Sequence, residues 1–344
     1  MVVNMEQNPE DQELLEILKS LRTKIKIVGC GGAGSNTISR IIEDGIQDVE
    51  LIAMNTDAAH LYMIRSQRKV LLGRRLTGGL GAGAIPEIGM KSALEAEEDI
   101  KRVLEGSDIV FITAGMGGGT GTGSAPVVAR IAKELGALTV AVVTFPFSSE
   151  GRYRFENAVW GLNKLLEQAD SVIVVMNDKL LKLVPRLPLN RAFKVADEIL
   201  VKAIKGISEM ITKPGLINLD YNDLKTIMKG SGLAVIGLGE SDSEKRAEIA
   251  TNNAINSPLI DIDISDATGA IVDVVGGEDM TVEEAHKVVS IIESRMNKNA
   301  RIIWGASIRP DYKRRMGVMV VVTGIKGKPN YTFTDSGIKL DIVK

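Results

Sequence analysis

The stretch Ala114-Gly115-Met116-Gly117-Gly118-Gly119-Thr120-Gly121-Thr122-Gly123-Ser124 decides the fold. An apolar, buried-type strand pattern over 108–114 runs into it. A helical pattern over 126–135 follows, with Pro126 near its expected start, where a missing N–H costs nothing. Between Gly117 and Gly123 stand five glycines and two threonines. Each glycine costs about 0.5–1 kcal/mol in chain entropy, which argues against an idle turn. Backbone N–H groups at such a turn can cradle adjacent phosphates, and the two threonine hydroxyls add donors or bind through metal water. No Gly-Lys-Ser/Thr follows, so this is not a Walker loop.

Two further glycine windows lie upstream. Gly29-Cys30-Gly31-Gly32-Ala33-Gly34-Ser35-Asn36 sits between a strand pattern at 24–28 and a helix pattern at 35–43. Alone it satisfies G-x-G-x-x-G and admits a dinucleotide-binding reading. Leu76-Thr77-Gly78-Gly79-Leu80-Gly81-Ala82-Gly83-Ala84 follows no obvious strand. It is either a mobile surface loop or a lid on a terminal phosphate. Together the three windows hold fourteen of the chain's 35 glycines, so the excess is concentrated where close approach would be needed.

Composition narrows the function classes. The 344 residues suit two domains rather than one. Lys+Arg at 42 against Asp+Glu at 44 argues against a nucleic-acid-coating protein. With 44% hydrophobic residues the chain is not a disordered acidic one. One cysteine, Cys30, excludes an internal disulfide and points to a reducing compartment. Two histidines, His60 and His286, cannot build a His-rich zinc site, and both read as surface or satisfied helix residues. No run of about 18 uncharged apolar residues is present, so no spanning helix and no direct membrane insertion are expected. The N-terminus lacks a signal-peptide pattern, and Leu14, Leu15, Ile17, Leu18 and Leu21 suggest a short amphipathic helix, so a cytoplasmic protein is expected.

The chain alternates strand and helix: strands at 49–55, 138–145 and 171–176, and one long helix at 88–104. That order implies an α/β fold with a mostly parallel sheet covered on both faces. A helical pattern over 191–211 would make a rod of about 30 Å. A second, smaller α+β unit follows, with strands at 234–238, 271–275, 301–307 and 317–323 and helices at 243–256 and 281–297. The expected division is an N-terminal amphipathic extension at 1–23, a nucleotide-binding domain at 24–187 and a central connecting helix at 188–213. A C-terminal domain at 214–328 and a tail or edge strand at 329–344 complete it.

Gly117-Gly118-Gly119-Thr120-Gly121-Thr122-Gly123 resembles the tubulin-type signature of the FtsZ family of prokaryotic cell-division GTPases. Other stretches fall in that family's order: Asn55-Thr56-Asp57, Gly81-Ala82-Gly83, Pro146-Phe147 with Glu150-Gly151 and Arg154, and Asn177-Asp178-Lys179-Leu180. So does Gly215-Leu216-Ile217-Asn218-Leu219-Asp220-Tyr221-Asn222-Asp223. The resemblance spans roughly residues 24 to 325, and Ala33, Ser35 and the 185–188 segment look more archaeal than bacterial.

The resemblance implies a GTP-binding domain, a central helix and a smaller GTPase-activating domain. Gly31, Gly32, Ala33 and Gly117 to Gly123, Thr120 and Thr122 included, would hold the diphosphate, and Asn36, Asn55 and Asp57 would also contact the nucleotide. Ala82 and Gly83 would lie near the γ-phosphate. Pro146, Glu150 and Arg154 would line the sugar. Asn177 and Asp197 would read the guanine edge, with Phe193 against the ring. Asp220 and Asp223 would orient the attacking water in the next subunit's site, with Asn218 contacting it; read without the resemblance, they are helix caps. Implied too are GTP/GDP, Mg²⁺ held mainly through phosphates and water, and a head-to-tail homopolymer forming the mid-cell division ring. Membrane-anchor proteins or a paralogue would be further partners, and nucleic acid would not. Two alternatives stand beside this: an NAD-binding Rossmann-type enzyme, and a polymer-forming homologue that does not hydrolyse.

Overall fold

β1 (Ile25–Cys30) is buried along nearly its whole length and turns directly into α1 (Gly31–Glu43). The computed structural model describes residues 22–183, 188–213, 215–217, 219–260, 262–334 and 337–343. The expected amphipathic helix before residue 22 and the 185–187 segment lie outside the described residues.

After α1 come β2 (Val49–Asn55), α2 (Ala58–Met63), β3 (Arg68–Leu71), α3 (Pro86–Glu95), α4 (Glu97–Leu104) and β4 (Ile109–Gly115). Then follow α5 (Thr120–Glu134), β5 (Leu138–Phe145), α6 (Arg152–Gln168), β6 (Ser171–Met176) and α7 (Asn177–Leu183). A long helix, α8 (Leu189–Thr212), leads to α9 (Tyr221–Met228) and β7 (Gly232–Ser241). The remainder is α10 (Arg246–Ile255), β8 (Gly269–Gly276), α11 (Val282–Arg295), β9 (Arg301–Ile308), β10 (Met316–Thr323), β11 (Lys328–Thr334) and β12 (Gly337–Val343).

Ten strands form one sheet in the order β3-β2-β1-β4-β5-β6-β7-β10-β8-β9. The first seven run parallel. Their side chains alternate between two cores, as a strand's period of two requires. Val28, Cys30, Val110, Ile112 and Ala114 join the core containing Ala125, Ala129 and Leu162. Ile25, Ile27, Ile109 and Phe111 join the core containing Ile38, Ile41, Ala196, Leu200 and Ile204. The strands are apolar on both faces because helices cover both faces.

β7 differs from the short strand expected at 234–238. Gly232, Leu233 and Ala234 pair with β6, and Val235 to Ser241 pair antiparallel with β10. One strand therefore carries the sheet from the first half of the chain into the second, and the two halves share it. Along the same joint, α8 places Ala203, Ile204 and Ile207 in a core with Ile271, Met319 and Val321. Its 24 residues make a rod of about 36 Å.

Three other expectations change. The helix expected at 88–104 is two helices meeting at buried Ala96 (φ −95°, ψ 17°). Ala93, Ala96 and Ile100 are all buried, so the apolar period crosses the break and hides it in the sequence. α5 starts at Thr120 rather than near 126, inside the glycine stretch, so Pro126 lies within the helix rather than at its start. α1 likewise begins at Gly31, four residues before the expected start at 35. The tail is a β11–β12 hairpin packed on the first half of the chain. Tyr331 stacks on Phe145 at 4.8 Å, and Phe333 tilts against Phe155 at 5.4 Å.

Candidate nucleotide site and the loop at the opposite end of the sheet

β1 and β4 are neighbours in the sheet, and the strand order reverses between them. Ligands of open parallel sheets bind outside the carboxyl ends of the strands at that switch point. Here β4 ends in Gly115, β1 ends in Cys30 with Gly31 directly after it, and both following helices start without a side-chain cap. The first N–H groups of α1 and α5 are therefore left without intrahelical acceptors, at two positive helix ends side by side. Such an end is a ready anion site.

The glycines do two different jobs. Gly31 (φ 72°) and Gly121 let the two loops meet: a Cβ on Gly31 would lie 2.6 Å from Gly121 N, and one on Gly121 would lie 3.0 Å from Cys30 O. Gly119 seats the third window, since its Cβ would lie 2.7 Å from Ile85 N and 2.9 Å from Ala82 Cβ. Gly32 and Gly118 have neither constraint. A Cβ at either position would meet nothing within 4 Å, and neither has a left-handed φ. Packing does not demand glycine there, whereas a ligand lying against the backbone would. The residues present thus fit a nucleotide's phosphates.

The third window is held rather than free. Gly81 N donates to Thr56 O at 3.2 Å, and Ala58 N donates to Gly79 O at 2.9 Å. Gly83 and Ala84 both have left-handed φ, of 58° and 59°. Asn157, on α6, ties this window to the second loop: its Nδ2 donates to Ala84 O at 3.0 Å and Gly117 O at 3.3 Å. Nothing in the sequence marks Asn157, one polar residue on an amphipathic helix. The Thr56 and Thr120 hydroxyls pair at 2.6 Å. Thr122, expected to offer its hydroxyl to the ligand, is fully buried and accepts from Gly117 N at 2.9 Å, so it braces the loop from inside. Asp57 caps α2 by accepting from His60 N at 2.9 Å.

Among the residues expected at the sugar, buried Pro146 leads into the turn Ser148–Glu150. Glu150 accepts from Phe147 N at 2.9 Å and pairs with Arg154 at 3.0 Å. Phe193, expected against the base, lies edge-on to Phe147 at 5.1 Å. The Asn177 side chain is buried, and its Oδ1 has no hydrogen-bond partner. A buried orphan acceptor is costly, and a guanine N–H would satisfy it. Asp197 pairs with Arg40 at 3.2 Å. Burial pushes its carboxyl up to about 6, against the opposing pull of Arg40 and a Thr37 hydrogen bond.

Asp220 and Asp223 stand elsewhere. Asp220 caps α9 by accepting from Asp223 N at 2.8 Å, and both residues are exposed. The next residue, Tyr221, donates to the carbonyl of Asp108, which precedes β4, at 3.3 Å. The seven residues of β4 span about 23 Å. The structure thus gathers the glycine loops, Asn36, Asn55, Glu150 and Arg154 at one end of the strands and leaves Asp220 and Asp223 at the other. Asn218 lies outside the described residues.

The model for the Tubulin/FtsZ family, GTPase domain, matches residues 24–185, which sets the class as a tubulin-like GTPase. A second model, FtsZ family, C-terminal domain, matches residues 232–326. Cell division protein FtsZ 1 of Methanocaldococcus jannaschii is 53% identical over 335 residues, covering 97% of this chain and 92% of that protein. Its namesake in Archaeoglobus fulgidus is also 53% identical, over 94% of this chain and 89% of its own length. The solved structure titled "FtsZ dimer, empty (M. jannaschii)" superposes with a TM-score of 0.90 at 52% identity, over 98% of both chains. The chain belongs to the FtsZ family of cell-division GTPases. The order β3-β2-β1-β4-β5-β6 is shared with dinucleotide-binding sheets; family membership decides against that reading.

Proposed function

We propose that this chain binds GTP at the β1/β4 switch point, polymerises head to tail, and hydrolyses GTP across the interface between subunits. The observation that carries this reading is the separation of Asp220 and Asp223 from the glycine loops by the length of the parallel strands. A carboxylate pair at one end and a phosphate cradle at the other complete each other only when one subunit stacks on the next. Such a contact is heterologous, and if its rotation does not close it makes a filament. The 52%-identical M. jannaschii structure titled as a dimer supports self-association.

In this account the phosphates lie on the N-termini of α1 and α5, against Gly32 and Gly118, with Ala82 and Gly83 beside the terminal phosphate. Glu150, already oriented by Phe147 N–H, accepts from the ribose. Asn177 Oδ1 and the Asp197 carboxylate accept from the guanine N–H groups. Adenine lacks that donor pattern and would leave buried acceptors unpaired. Mg²⁺, held mainly by phosphate oxygens and water, would supply charge neutralisation on the phosphates. The paired hydroxyls of Thr56 and Thr120 are neutral oxygen donors suited to its water shell. The neighbour's Asp220 and Asp223 orient and polarise the attacking water, and Asn218 of the same loop contacts the site. Phosphoryl transfer depends mostly on such positioning.

The filament would serve as the division ring at mid-cell, with separate anchor proteins or a paralogue joining it to the membrane. Among the described residues, no helix is long and apolar enough to cross a membrane. A non-hydrolysing polymer is the second reading, and the capping job of Asp220 is what favours it. Light scattering with GTP, GDP and ATP side by side tests the proposal. Assembly with GTP that decays as GDP accumulates is expected; equal assembly with ATP, or none with GTP, would refute it.

A further inference from the structure

The two carboxylate oxygens of Asp178 are engaged by two distant parts of the chain. Oδ1 accepts from Ser148 N at 2.9 Å and from Ser148 Oγ at 3.3 Å. Oδ2 accepts from Ile338 N, on β12, at 3.1 Å. Ser148 opens the turn Ser148–Glu150, and Ile338 belongs to the terminal hairpin. One carboxylate thus joins the hairpin to that turn. The hairpin also grips the same segment through its rings. Tyr331 stacks on Phe145, just before the turn, and Phe333 meets Phe155, just after it. Phe145 and Phe155 themselves meet edge-on at 5.8 Å. Elsewhere on the hairpin, Leu340 and Ile342 line a small hollow with Ile262 and Ile325. Those two isoleucines also pack on the core of the second half of the chain.

We propose that Asp178 is a positioning residue: it braces the ribose turn against the β11–β12 hairpin, so that Glu150 meets the sugar hydroxyls already oriented. This rests on the reading above that puts Glu150 at the ribose. Within the turn, Glu150 is held by Phe147 N–H and by Arg154. A three-residue 3₁₀ turn has poor hydrogen-bond geometry of its own, so an outside brace decides how well it keeps its shape. A carboxylate only accepts, and so serves the Ser148 and Ile338 N–H groups together. An amide in its place would turn its NH₂ toward one of those two donors. Holding the turn before the ligand arrives is preorganisation, which strengthens binding by lowering its ordering cost. The linkage is reciprocal: what the hairpin lends to sugar binding, sugar binding returns to the hairpin. In the sequence Asp178 stands beside Asn177 with no sign of a partner 160 residues away.

Two experiments on the full chain test this, both comparing GDP with 2′,3′-dideoxy-GDP, which lacks the sugar hydroxyls. The first is amide hydrogen exchange of the wild type, which needs no variant. Saturating GDP should slow exchange in the 328–343 hairpin roughly threefold or more, and dideoxy-GDP should slow it much less. Equal hairpin exchange with the two nucleotides overturns the proposal. The second is the ratio of the two affinities. Asp178→Asn should shrink the preference for GDP roughly fivefold while leaving dideoxy-GDP binding unchanged. Phe333→Ala, which loosens the hairpin at a partly exposed ring, should shrink the ratio in the same direction. An unchanged ratio in either variant, or an equal loss of both nucleotides, means that these residues serve the fold alone, and the proposal falls. If the wild type binds the two nucleotides equally, Glu150 is not at the ribose, and that reading fails and takes the proposal with it. A wild-type preference for GDP that survives in Asp178→Asn fails Asp178 alone.

Discussion

Tyr221 donates its phenolic hydrogen to the carbonyl of Asp108 at 3.3 Å, at the start of the strand whose other end becomes the second glycine loop. This bond fixes the Asp220 turn to the base of β4. The turn is further held by Leu219 N, which donates to Met210 O at 3.4 Å near the end of α8. A rigid sheet thus separates the two halves of the proposed site. Neither half moves toward the other without breaking the core that Leu219, Leu224 and Met210 share with Ile109 and Phe111.

Because Asp220 is also a helix cap, the choice of substitution matters. Asparagine caps as well as aspartate, and alanine costs about 1 kcal/mol. Asp220→Asn should therefore keep wild-type melting and GTP binding while turnover falls by roughly 100-fold or more, as when a preorganised charge-stabilising group is lost. Asp220→Ala should lose similar turnover and melt earlier. Turnover in Asp220→Asn equal to wild type would remove the carboxylate from the chemistry.

The glycines divide into two experimental classes. Gly32→Ala and Gly118→Ala meet no atom within 4 Å and no left-handed φ, so stability should hold or rise by up to about 1 kcal/mol. Their GTP affinity should drop by tenfold or more, since the methyl enters the ligand's space. Gly31→Ala has both a left-handed φ and Gly121 N at 2.6 Å, and should lose stability first. Denaturant melts paired with nucleotide titrations separate the classes. Unchanged GTP affinity in Gly118→Ala would place the phosphates elsewhere.

Guanine recognition should weaken in acid. Burial holds the Asp197 carboxyl up to about 6, above its ordinary 3.8. In the proposed site the carboxylate binds the base, so below about pH 6 binding must first release a proton. GDP affinity should then fall by up to about tenfold per pH unit as pH drops, and be complete above pH 6. The same rise means that ionised Asp197 opposes folding: the penalty is absent below about pH 4 and full above about pH 6. Asp197→Asn should thus flatten the GDP profile and raise Tm more at pH 8 than at pH 4. A GDP profile that stays flat for the wild type between pH 5 and 8 would exclude Asp197 from the base site.

Selectivity should rest on Asn177. Its buried Oδ1 has no partner in the protein, so Asn177→Ala removes an orphan acceptor and should not lower the stability of the free chain through a lost Oδ1 bond. The preference for GTP over ATP should shrink by about tenfold. Competition binding of the two nucleotides checks this, and an unchanged ratio would reassign the base contact.

Much of this was legible in the sequence because the decisive features are local. Gly117 to Gly123 between an apolar strand and a helix, and Asp220 three residues before Asp223, are patterns of neighbours. What was hidden depends on partners far along the chain. β7 looks like one more short strand, and only its pairing with both β6 and β10 makes it the joint of the sheet. Thr122 looks like a ligand donor, and only the fold of the loop turns its hydroxyl onto Gly117 N. The break at Ala96 leaves no mark because alanine suits a helix and the apolar period continues through it. Tyr331 and Phe333 read as a tail because the aromatic rings that receive them, Phe145 and Phe155, lie in another part of the sequence.

The shared site is tested most directly by mixing two crippled chains. Asp220→Asn keeps its phosphate cradle and loses its contribution to the neighbour. Gly118→Arg should block its own cradle and keep Asp220 and Asp223. Each alone should hydrolyse almost no GTP. In an equal mixture, about a quarter of randomly formed head-to-tail contacts join the intact cradle of one to the intact aspartates of the other. GTPase activity should then return to roughly that fraction of wild type and rise steeply with concentration. A mixture no more active than the sum of its parts, with both variants folded and Asp220→Asn still binding GTP, would contradict an active site divided between subunits.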